Sequence, residues 1–523
     1  MADRAFARPR ALAGVAAAAV ALGVTALTAA LVGPEADSRT AVGSAVIDLT
    51  PGPVKEWAIQ TFGTADKLML MVLILITIAV LAGITAKLET RRVPLGSITI
   101  ALAGVAGCAA VLSRAGATPI AVLPTVIGTV CGIAVLRLLV SGRFSDGKPA
   151  EPGPRDGEFG AAPDPGRRLS LVTLGFLAAG TLTGVLGAVL TRARSSVAGD
   201  RNAFALPKPA VPAPAVPAAV QPVGVDLPPF ITPNADFYRI DTALSVPQLS
   251  RPDWKLRIHG MVDREVTLEF EDLDQFEVID KVATLTCVSN PVGGDLISTA
   301  KWTGYRVRDL LARAGVHTDA DMVLSTSIDG FTAGTPVEAL TDARDSLLAI
   351  GMNDAPLPTE HGYPARLVVP GLYGYVSATK WVVDLEVTKF NLAQAYWTKL
   401  GWSERGPIKT QSRIDVPRSG QDVARGPVTF GGVAWAQNRG VRAVEVRVDG
   451  PNGQGQWQNA ELGEAYSNQT WRLWSFRWQA DAPGPHEISV RATDGTGAVQ
   501  TSQPADVVPD GASGWHTVSF AVE

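Results

Sequence analysis

Five long apolar runs constrain the fold of this chain more than any other feature of its sequence. Each is close to the roughly 20 residues that a helix needs to cross the hydrocarbon core of a bilayer. None contains Asp, Glu or His, and only the fourth contains an arginine, Arg137. A single run could be a buried helix or a signal peptide, but five in succession predict a multi-pass α-helical membrane region over residues 1–191. The runs are Ala11–Val32, Leu68–Ala86, Leu95–Leu112, Pro119–Val140 and Leu169–Leu190.

Lysine and arginine collect in alternate segments between these runs. The N-terminus, the second-to-third loop and the fourth-to-fifth loop are rich in them, whereas the other two loops are poorer. Because cytoplasmic segments carry the excess of positive charge, we predict the N-terminus in the cytoplasm and, after five crossings, the C-terminal part outside. Arg192 and Arg194 lie against this bias, beyond the last run. The prediction is a plasma-membrane protein whose soluble part is extracytoplasmic.

The rest of the chain changes character twice. Proline and alanine alternate over residues 206–217, which predicts an extended linker over residues 192–228. The Pro/Gly-rich, charged loop 141–168 is predicted to be disordered. Residues 229–400 mix strand and helix patterns, which predicts an α+β domain. The clearest segments are a strand at Trp254–Gly260, a helix at Leu268–Phe276, a helix at Val307–Ala314 ended by Gly315, and a short strand at Ala365–Pro370.

Residues 401–523 have the pattern of a β-sandwich. Short β-rich segments are separated by turn clusters such as the Asp-Gly-Thr-Gly that begins at Asp494. Strands at this spacing are typical of an immunoglobulin-like sandwich, and the tryptophans are expected to supply its core. The segments are Val428–Ala434, Val441–Val448, Trp471–Trp478 and His486–Ala492.

Cys287 is the only cysteine after Cys131. A lone cysteine outside the membrane is either an inert buried group or a thiolate with a chemical role. Its context is Thr-Leu-Thr-Cys287-Val-Ser-Asn290, followed by Ile-Ser-Thr-Ala, a basic residue and Trp302-Thr-Gly. This pattern resembles the sulfite oxidase family of molybdenum enzymes. The resemblance implies that Cys287 binds molybdenum directly and that Asn290 lies at the cofactor. A soft thiolate suits a metal that the dithiolene of a pterin already holds.

A second segment carries the same resemblance, which covers roughly residues 229–523. His361-Gly-Tyr-Pro-Ala-Arg366-Leu-Val-Val-Pro-Gly and the later pair Lys380-Trp match family signatures. The resemblance implies that His361, Arg366 and Lys380 bind the pterin and its phosphate. A guanidinium fork matches phosphate oxygens in two places at once. The segment Ile231–Arg239 resembles the opening motif of the family, which makes Arg239 the candidate for the lining of the anion pocket.

Two departures from the family pattern lie on the substrate side. Where sulfite-oxidising members carry arginines after the Cys-x-x-Asn motif, this chain has Pro291 and Val292. The active-site tyrosine of the family falls on Trp402, five residues after Trp397. The predicted catalytic set is therefore Cys287 with Arg239 and Trp402, in a cofactor scaffold that is retained while its substrate-facing shell is altered.

The sequence also bears on partners. It contains no Cys-x-x-Cys-His motif and no histidine in an apolar run, so we predict no c-type or bis-histidine b haem in this chain. Electrons would pass to or from a separate carrier, a cytochrome or a quinone. The net charge of −4 gives no indication of nucleic-acid binding. The resemblance implies a molybdenum–molybdopterin cofactor and a homodimer formed through residues 401–523.

Three functions remain open at this point. The first is a membrane-anchored molybdopterin oxidoreductase that transfers an oxygen atom to or from a small sulfur or nitrogen compound. The second is a reductase of sulfoxides such as methionine sulfoxide. The third is a cofactor-free membrane sensor or binding module that retains the fold. A binding module needs no metal thiolate, so Cys287, His361 and Arg366 together argue against the third.

Arg167 and Arg168 stand directly before the fifth run, which is rich in Gly and Ala. The pair resembles a twin-arginine export signal, a route that carries folded proteins. A molybdopterin enzyme receives its cofactor in the cytoplasm and therefore needs such a route. The alternative is that both are ordinary arginines of the positive-inside pattern.

A reporter fused after Glu523 should be active only outside the cytoplasm, as judged by paired alkaline phosphatase and fluorescent-protein fusions. The double change Arg167→Lys and Arg168→Lys should block export of the cofactor-loaded protein. Arg192→Lys with Arg194→Lys serves as the control and should leave export intact. Cytoplasmic reporter activity would refute the orientation, whereas normal export of the first double variant would refute only the export signal.

Overall fold

The computed structural model describes residues 2–62, 65–90, 92–114, 117–141 and 165–523. Most of the predicted disordered loop 141–168 lies outside these residues. The chain divides into two compact units. The first comprises Met1–Ser196 with Thr242–Ser245, and the second comprises Val197–Asp241 with Val246–Glu523.

The first unit is helical. Its described residues include helices that are long and apolar enough to cross a membrane in all five predicted runs. The first helix, Ala2–Val32, packs against the fourth, sixth and seventh helices. Small residues such as Gly180 and Gly187 lie directly against its backbone, which allows close packing between apolar helices. The helices are α1 Ala2–Val32, α2 Ser38–Leu49, α3 Gly52–Phe62, α4 Asp66–Lys87, α5 Leu95–Leu112, α6 Leu123–Val140 and α7 Pro165–Ser195.

The second unit begins with one mixed sheet, one antiparallel sheet and three short helices. Its strands are β1 Lys255–Gly260, β2 Val266–Glu269, β3 Val278–Thr286, β4 Ile297–Arg306, β5 Met322–Ser327, β6 Thr332–Pro336, β7 Leu347–Met352, β8 Ala355–Pro356, β9 Arg366–Val368 and β10 Val382–Thr388. Its helices are α8 Ala198–Ala203, α9 Val307–Ala314 and α10 Val337–Thr341. One sheet has the order β2-β1-β10-β5-β6, and the other has the order β3-β4-β7-β8 with β9 also paired to β7.

Two predictions for this part have different outcomes. The helix Val307–Ala314 is confirmed as α9, and it ends at Gly315, whose φ of 75° is favourable for glycine. The helical character predicted at Leu268–Phe276 is confirmed only for Phe270–Gln275, which form a 3₁₀ helix. Leu268 and Glu269 lie instead in β2, paired to β1 with Glu269 opposite Lys255. Pairing with a distant strand overrides the local helical pattern here.

β3 lies at an edge of its sheet, and other segments cover its outer side. Residues of the Pro/Ala-rich segment run along the first half, where Val211 accepts a hydrogen bond from the Asp280 amide at 2.9 Å. Along the second half, the Thr284 amide donates to the Gln469 carbonyl at 3.0 Å. The amide of Trp471 donates to Thr284 Oγ1 at 2.8 Å. The unpaired backbone that an edge strand normally exposes is thereby satisfied.

Nine strands, which we call the C-terminal sheets, form the rest of the second unit. All four predicted β segments are strands, and one apolar cluster that includes Phe430, Trp474, Ile488 and Phe520 joins the two sheets. The immunoglobulin-like class remains a prediction. The sheets have the orders β11-β13-β17-β16 and β12-β19-β18-β14-β15. The strands are β11 Gln411–Val416, β12 Asp422–Val423, β13 Gly426–Trp435, β14 Val441–Asp449, β15 Gln458–Asn459, β16 Glu461–Leu462, β17 Arg472–Ala480, β18 Gly484–Asp494 and β19 His516–Val522.

Candidate active site

Cys287 follows directly on the last residue of β3. It opens the connection to β4, residues 287–296, which we call the Cys287 loop. The Cys287 amide donates to the Leu296 carbonyl at 2.9 Å, and the Asn290 amide donates to the Cys287 carbonyl at 3.2 Å. Cys287 is partly exposed and forms no disulfide. The loop thus extends the hairpin ladder by one pair and holds the cysteine at its base.

Asn290 shapes this loop from within. Its side-chain Oδ1 accepts a hydrogen bond from the Leu296 amide at 3.0 Å, and the residue is buried. Gly294 lies directly against the same side chain, leaving no room for a Cβ. The structure therefore gives Asn290 a role in fixing the fold of the loop. Its predicted contact with the cofactor stays a prediction.

Arg366 opens β9, opposite Ala349 of β7. Its side chain is 5% exposed and donates to three backbone carbonyls, those of His361 at 3.3 Å, Leu367 at 3.3 Å and Ala378 at 3.4 Å. The guanidinium also lies 5.1 Å from the ring centroid of Trp302. No carboxylate of the described residues lies within ion-pair distance of it. Burial lowers its pKa to about 10, so it remains a cation at neutral pH.

Two further cations lie beside Arg366 and share one carboxylate. Lys380 Nζ and Arg239 Nε each lie 2.8 Å from Asp241 Oδ2. Burial, with smaller effects from Arg366 and Arg239, lowers the pKa of Lys380 to about 8 although Asp241 opposes the shift. The Lys380 side chain is nearly buried, whereas that of Arg239 reaches solvent.

His361 completes this group, which we call the cationic cluster: Arg239, His361, Arg366 and Lys380. Its imidazole is buried and packs edge-on against Phe237, with the ring centroids 5.5 Å apart. Burial, followed by the positive charges of Arg366 and Lys380, lowers the pKa of His361 to about 3. The histidine is therefore neutral, and three cations face a single carboxylate. This excess of buried positive charge fits an anion with several oxygens, such as a phosphate monoester.

Tyr238 connects the Cys287 loop to the cationic cluster, and sequence reasoning missed it as a site residue. Burial raises the pKa of Tyr238, and the neighbouring Cys287 raises it further while Arg366 lowers it. The tyrosine therefore lies within electrostatic range of both. Burial, and to a lesser extent Cys287, also raises the pKa of Tyr373, to about 12. The Phe-Tyr pair before Arg239 was the available signal for Tyr238.

Trp402 is 5% exposed and lies among aromatic side chains. Its ring centroid is 5.8 Å from that of Tyr375 and 6.0 Å from that of Trp397. Its role in the wall of a substrate pocket stays a prediction. The structure brings together the four residues of the cationic cluster and connects Cys287 to them through Tyr238.

The chain is similar to several known proteins. Residues 243–397 match the family model described as the oxidoreductase molybdopterin binding domain. The chain is 35% identical over 153 residues to the uncharacterized oxidoreductase YuiH of Bacillus subtilis, covering 29% of this chain and 74% of YuiH. It is 32% identical over 300 residues to mitochondrial sulfite oxidase of Macaca fascicularis, covering 49% of this chain and 54% of that protein. This chain belongs to the sulfite oxidase family.

The chain spans about half the length of the mammalian sulfite oxidases that it matches. A solved structure, the sulfane dehydrogenase SoxCD from Paracoccus pantotrophus, aligns with a TM-score of 0.49 and 24% identity. The alignment covers 57% of this chain and 85% of the SoxCD chain. The cofactor of the sulfite oxidase family is molybdenum held by molybdopterin, whose phosphate needs cations. The residues of the cationic cluster are the candidates for that role in this chain.

Cofactor-free protein should bind inorganic phosphate in the cationic cluster. Phosphate at about 100 times its dissociation constant should stabilise the fold by about 2.7 kcal/mol, and Arg366→Met should abolish this effect. Lys380 loses its proton as the pH rises through about 8, so phosphate should stabilise more at pH 7 than at pH 9. The measurement is the melting temperature with and without phosphate at both pH values.

Arg257→Met is the matched control, because that guanidinium pairs with Glu265 at the surface. It should keep the full response to phosphate. Without phosphate, Arg366→Met should melt at the same temperature or higher, since it removes a buried charge that lacks a carboxylate partner. An undiminished phosphate response in Arg366→Met would contradict the assignment of the cluster.

Proposed function

We propose that this protein is a membrane-anchored molybdenum-cofactor oxidoreductase that transfers an oxygen atom to or from a small, neutral sulfur or nitrogen compound. The observation that carries the proposal is the cationic cluster beside the Cys287 loop. A buried guanidinium without a carboxylate is costly unless an anion compensates it. A cofactor-free sensor would have no anion to compensate the buried charge of Arg366.

Each residue then has a defined task. The Cys287 thiolate would bind molybdenum, while Arg366, Lys380 and His361 would hold the pterin and its phosphate. Arg239 would line the rim of the anion site, held by Asp241. When bound, the cofactor supplies two-electron redox chemistry with transfer of an oxygen atom. The protein binds and orients the cofactor and sets the charge of the substrate pocket.

The charges of the C-terminal segments around the Cys287 loop support a neutral substrate. Cations of the C-terminal segments in this area each have their own carboxylate, at 2.8 Å in every case. The pairs are Arg413 with Asp415, Arg439 with Asp494, and Lys409 with Asp510. Pro291 and Val292 add no charge to the loop. The cationic cluster therefore has excess positive charge, whereas these three cations are balanced.

This balance favours an S-oxide or N-oxide over the sulfite dianion. Reduction of a sulfoxide consumes two electrons and two protons and yields the sulfide and water. Because we expect no haem in this chain, a separate cytochrome or quinone would supply the electrons. The five apolar helices would anchor the protein in the plasma membrane with the second unit outside the cytoplasm. The C-terminal sheets are the proposed homodimer contact.

Cys287→Ser should abolish activity, because a hydroxyl cannot replace a soft thiolate without changing the metal's chemistry. Purified protein from a cofactor-competent host should contain about one molybdenum per chain, measured by elemental analysis. Cys108→Ser and Cys131→Ser, which alter cysteines of the apolar helices, are matched controls and should leave activity unchanged. Protein without molybdenum, made in such a host, would refute the proposed function.

Sulfite should be a poor substrate compared with neutral oxides. Each missing hydrogen bond to a charged ligand costs roughly 1.5–3 kcal/mol. Two missing arginines therefore weaken productive binding by about two orders of magnitude or more. The measurement compares kcat/KM for sulfite oxidation with that for reduction of methionine sulfoxide and other oxides, using artificial electron carriers. A value for sulfite within the usual enzymatic range of about 10⁴–10⁸ M⁻¹s⁻¹, with no oxide reduced, would show that the pocket is built for an anion.

A further inference from the structure

The C-terminal sheets reach the Cys287 loop through Arg413 of β11. This side chain is 8% exposed, and its Nη1 donates to the Gly294 carbonyl at 3.0 Å. Its Nε lies 2.8 Å from Asp415 Oδ1, which fixes the plane of the guanidinium. A hydrogen bond from a charged donor is about twice as strong as a neutral one. The hydrogen bond thus joins the middle of the loop to a strand residue 119 positions further along the chain.

His516 makes a second contact with the same part of the loop. The His516 ring of β19 lies against Gly293, where a Cβ would collide with it. Gly293 has a φ of 78°, which glycine adopts most readily. The ring is itself held, since His516 Nδ1 accepts a hydrogen bond from the Ile414 amide at 3.0 Å. Burial and the neighbouring Arg413 lower the pKa of His516 to about 4, so this acceptor remains neutral.

Gln437 makes a third contact, with the end of β3 that directly precedes the loop. Gln437, in the turn between β13 and β14, is 1% exposed. Its Nε2 lies 3.4 Å from Thr286 Oγ1 and 3.5 Å from the Thr284 carbonyl, at the end of β3 that leads into Cys287. These are long hydrogen bonds, so packing contributes most of this contact. The next residue of the turn, Asn438, packs directly on Gly371, which follows the segment that carries Arg366.

We propose that Arg413 is a positioning residue of the active site, which holds the Cys287 loop in the shape that presents Cys287, Pro291 and Val292 to the substrate. Gln437 supports the same loop at its start. The C-terminal sheets are then a structural part of the site as well as a candidate dimer contact. The inference rests on the proposed function for the role of Cys287, but the loop contact itself can be tested without it.

The test is hydrogen–deuterium exchange of the peptides that cover the Cys287 loop, in full-length cofactor-free protein. The variant is Arg413→Met with Asp415→Asn, which avoids leaving a carboxylate without its cation. The loop amides should exchange about tenfold faster or more, the change expected when a hydrogen bond from a charged group is lost. Arg491→Met with Glu445→Gln is the matched control, since it removes an ion pair within the C-terminal sheets. The control should leave exchange in the loop unchanged.

Cofactor-loaded protein supplies a second readout. The Arg413 variant should raise KM for a neutral oxide by about tenfold with a smaller change in kcat, because the loop shapes the pocket. It should also shift the electron paramagnetic resonance spectrum of the half-reduced metal, which senses the orientation of its thiolate ligand. A merely structural residue would lower the melting temperature and leave both the spectrum and the KM unchanged.

Unaltered exchange in the loop of the Arg413 variant would overturn the proposal. If that variant does not fold, Arg413→Lys is the second variant, because it keeps a cation beside Asp415 and removes the guanidinium fork that reaches both Asp415 and the Gly294 carbonyl. It should accelerate exchange in the Cys287 loop, and unchanged exchange there would likewise overturn the proposal. Absence of molybdenum would refute the proposed function alone, since the exchange experiments use cofactor-free protein.

Discussion

The buried guanidinium of Arg366 is the constraint on which the rest of this site depends. It has carbonyls and an aromatic face around it, and no carboxylate of the described residues neutralises it. A buried charge without a partner costs several kcal/mol. The same positive charge helps to keep His361 neutral and to lower the pKa of Lys380. The fold therefore holds a site whose electrostatics are completed by an anion.

The parts of this structure that are local in sequence could be predicted. An apolar run of about 20 residues favours a helix, because a helix satisfies its backbone hydrogen bonds within the run. The helix α9 has both an apolar stripe and a terminating glycine. His361 and Arg366 are five residues apart, on either side of a turn. The hydrogen bond from Arg366 to the His361 carbonyl shows that this short spacing already defines half of the cationic cluster.

The remaining parts depend on contacts between distant residues. Asp241 carries no recognisable motif, yet it pairs with Lys380 across 139 residues. Leu268 and Glu269 begin a segment with helical character and lie in a strand because they pair with β1. Tyr238 was overlooked because its significance comes from Cys287 and Arg366 together. No short sequence motif indicates the hydrogen bond from Arg413 to the Cys287 loop. In each case the deciding partner lies too far along the chain for a spacing rule to find it.

The covered edge of β3 has a consequence for the order in which the protein matures. The hydrogen bond from Trp471 to Thr284 joins residues 187 positions apart, close to Cys287, which follows the strand. Contacts of such long sequence separation form late, because a large loop must close first. While the ribosome is still synthesising the C-terminal sheets, the strand that precedes Cys287 has one side uncovered. The edge of β3 next to Cys287 can therefore be covered only after residues 469–471 have been translated.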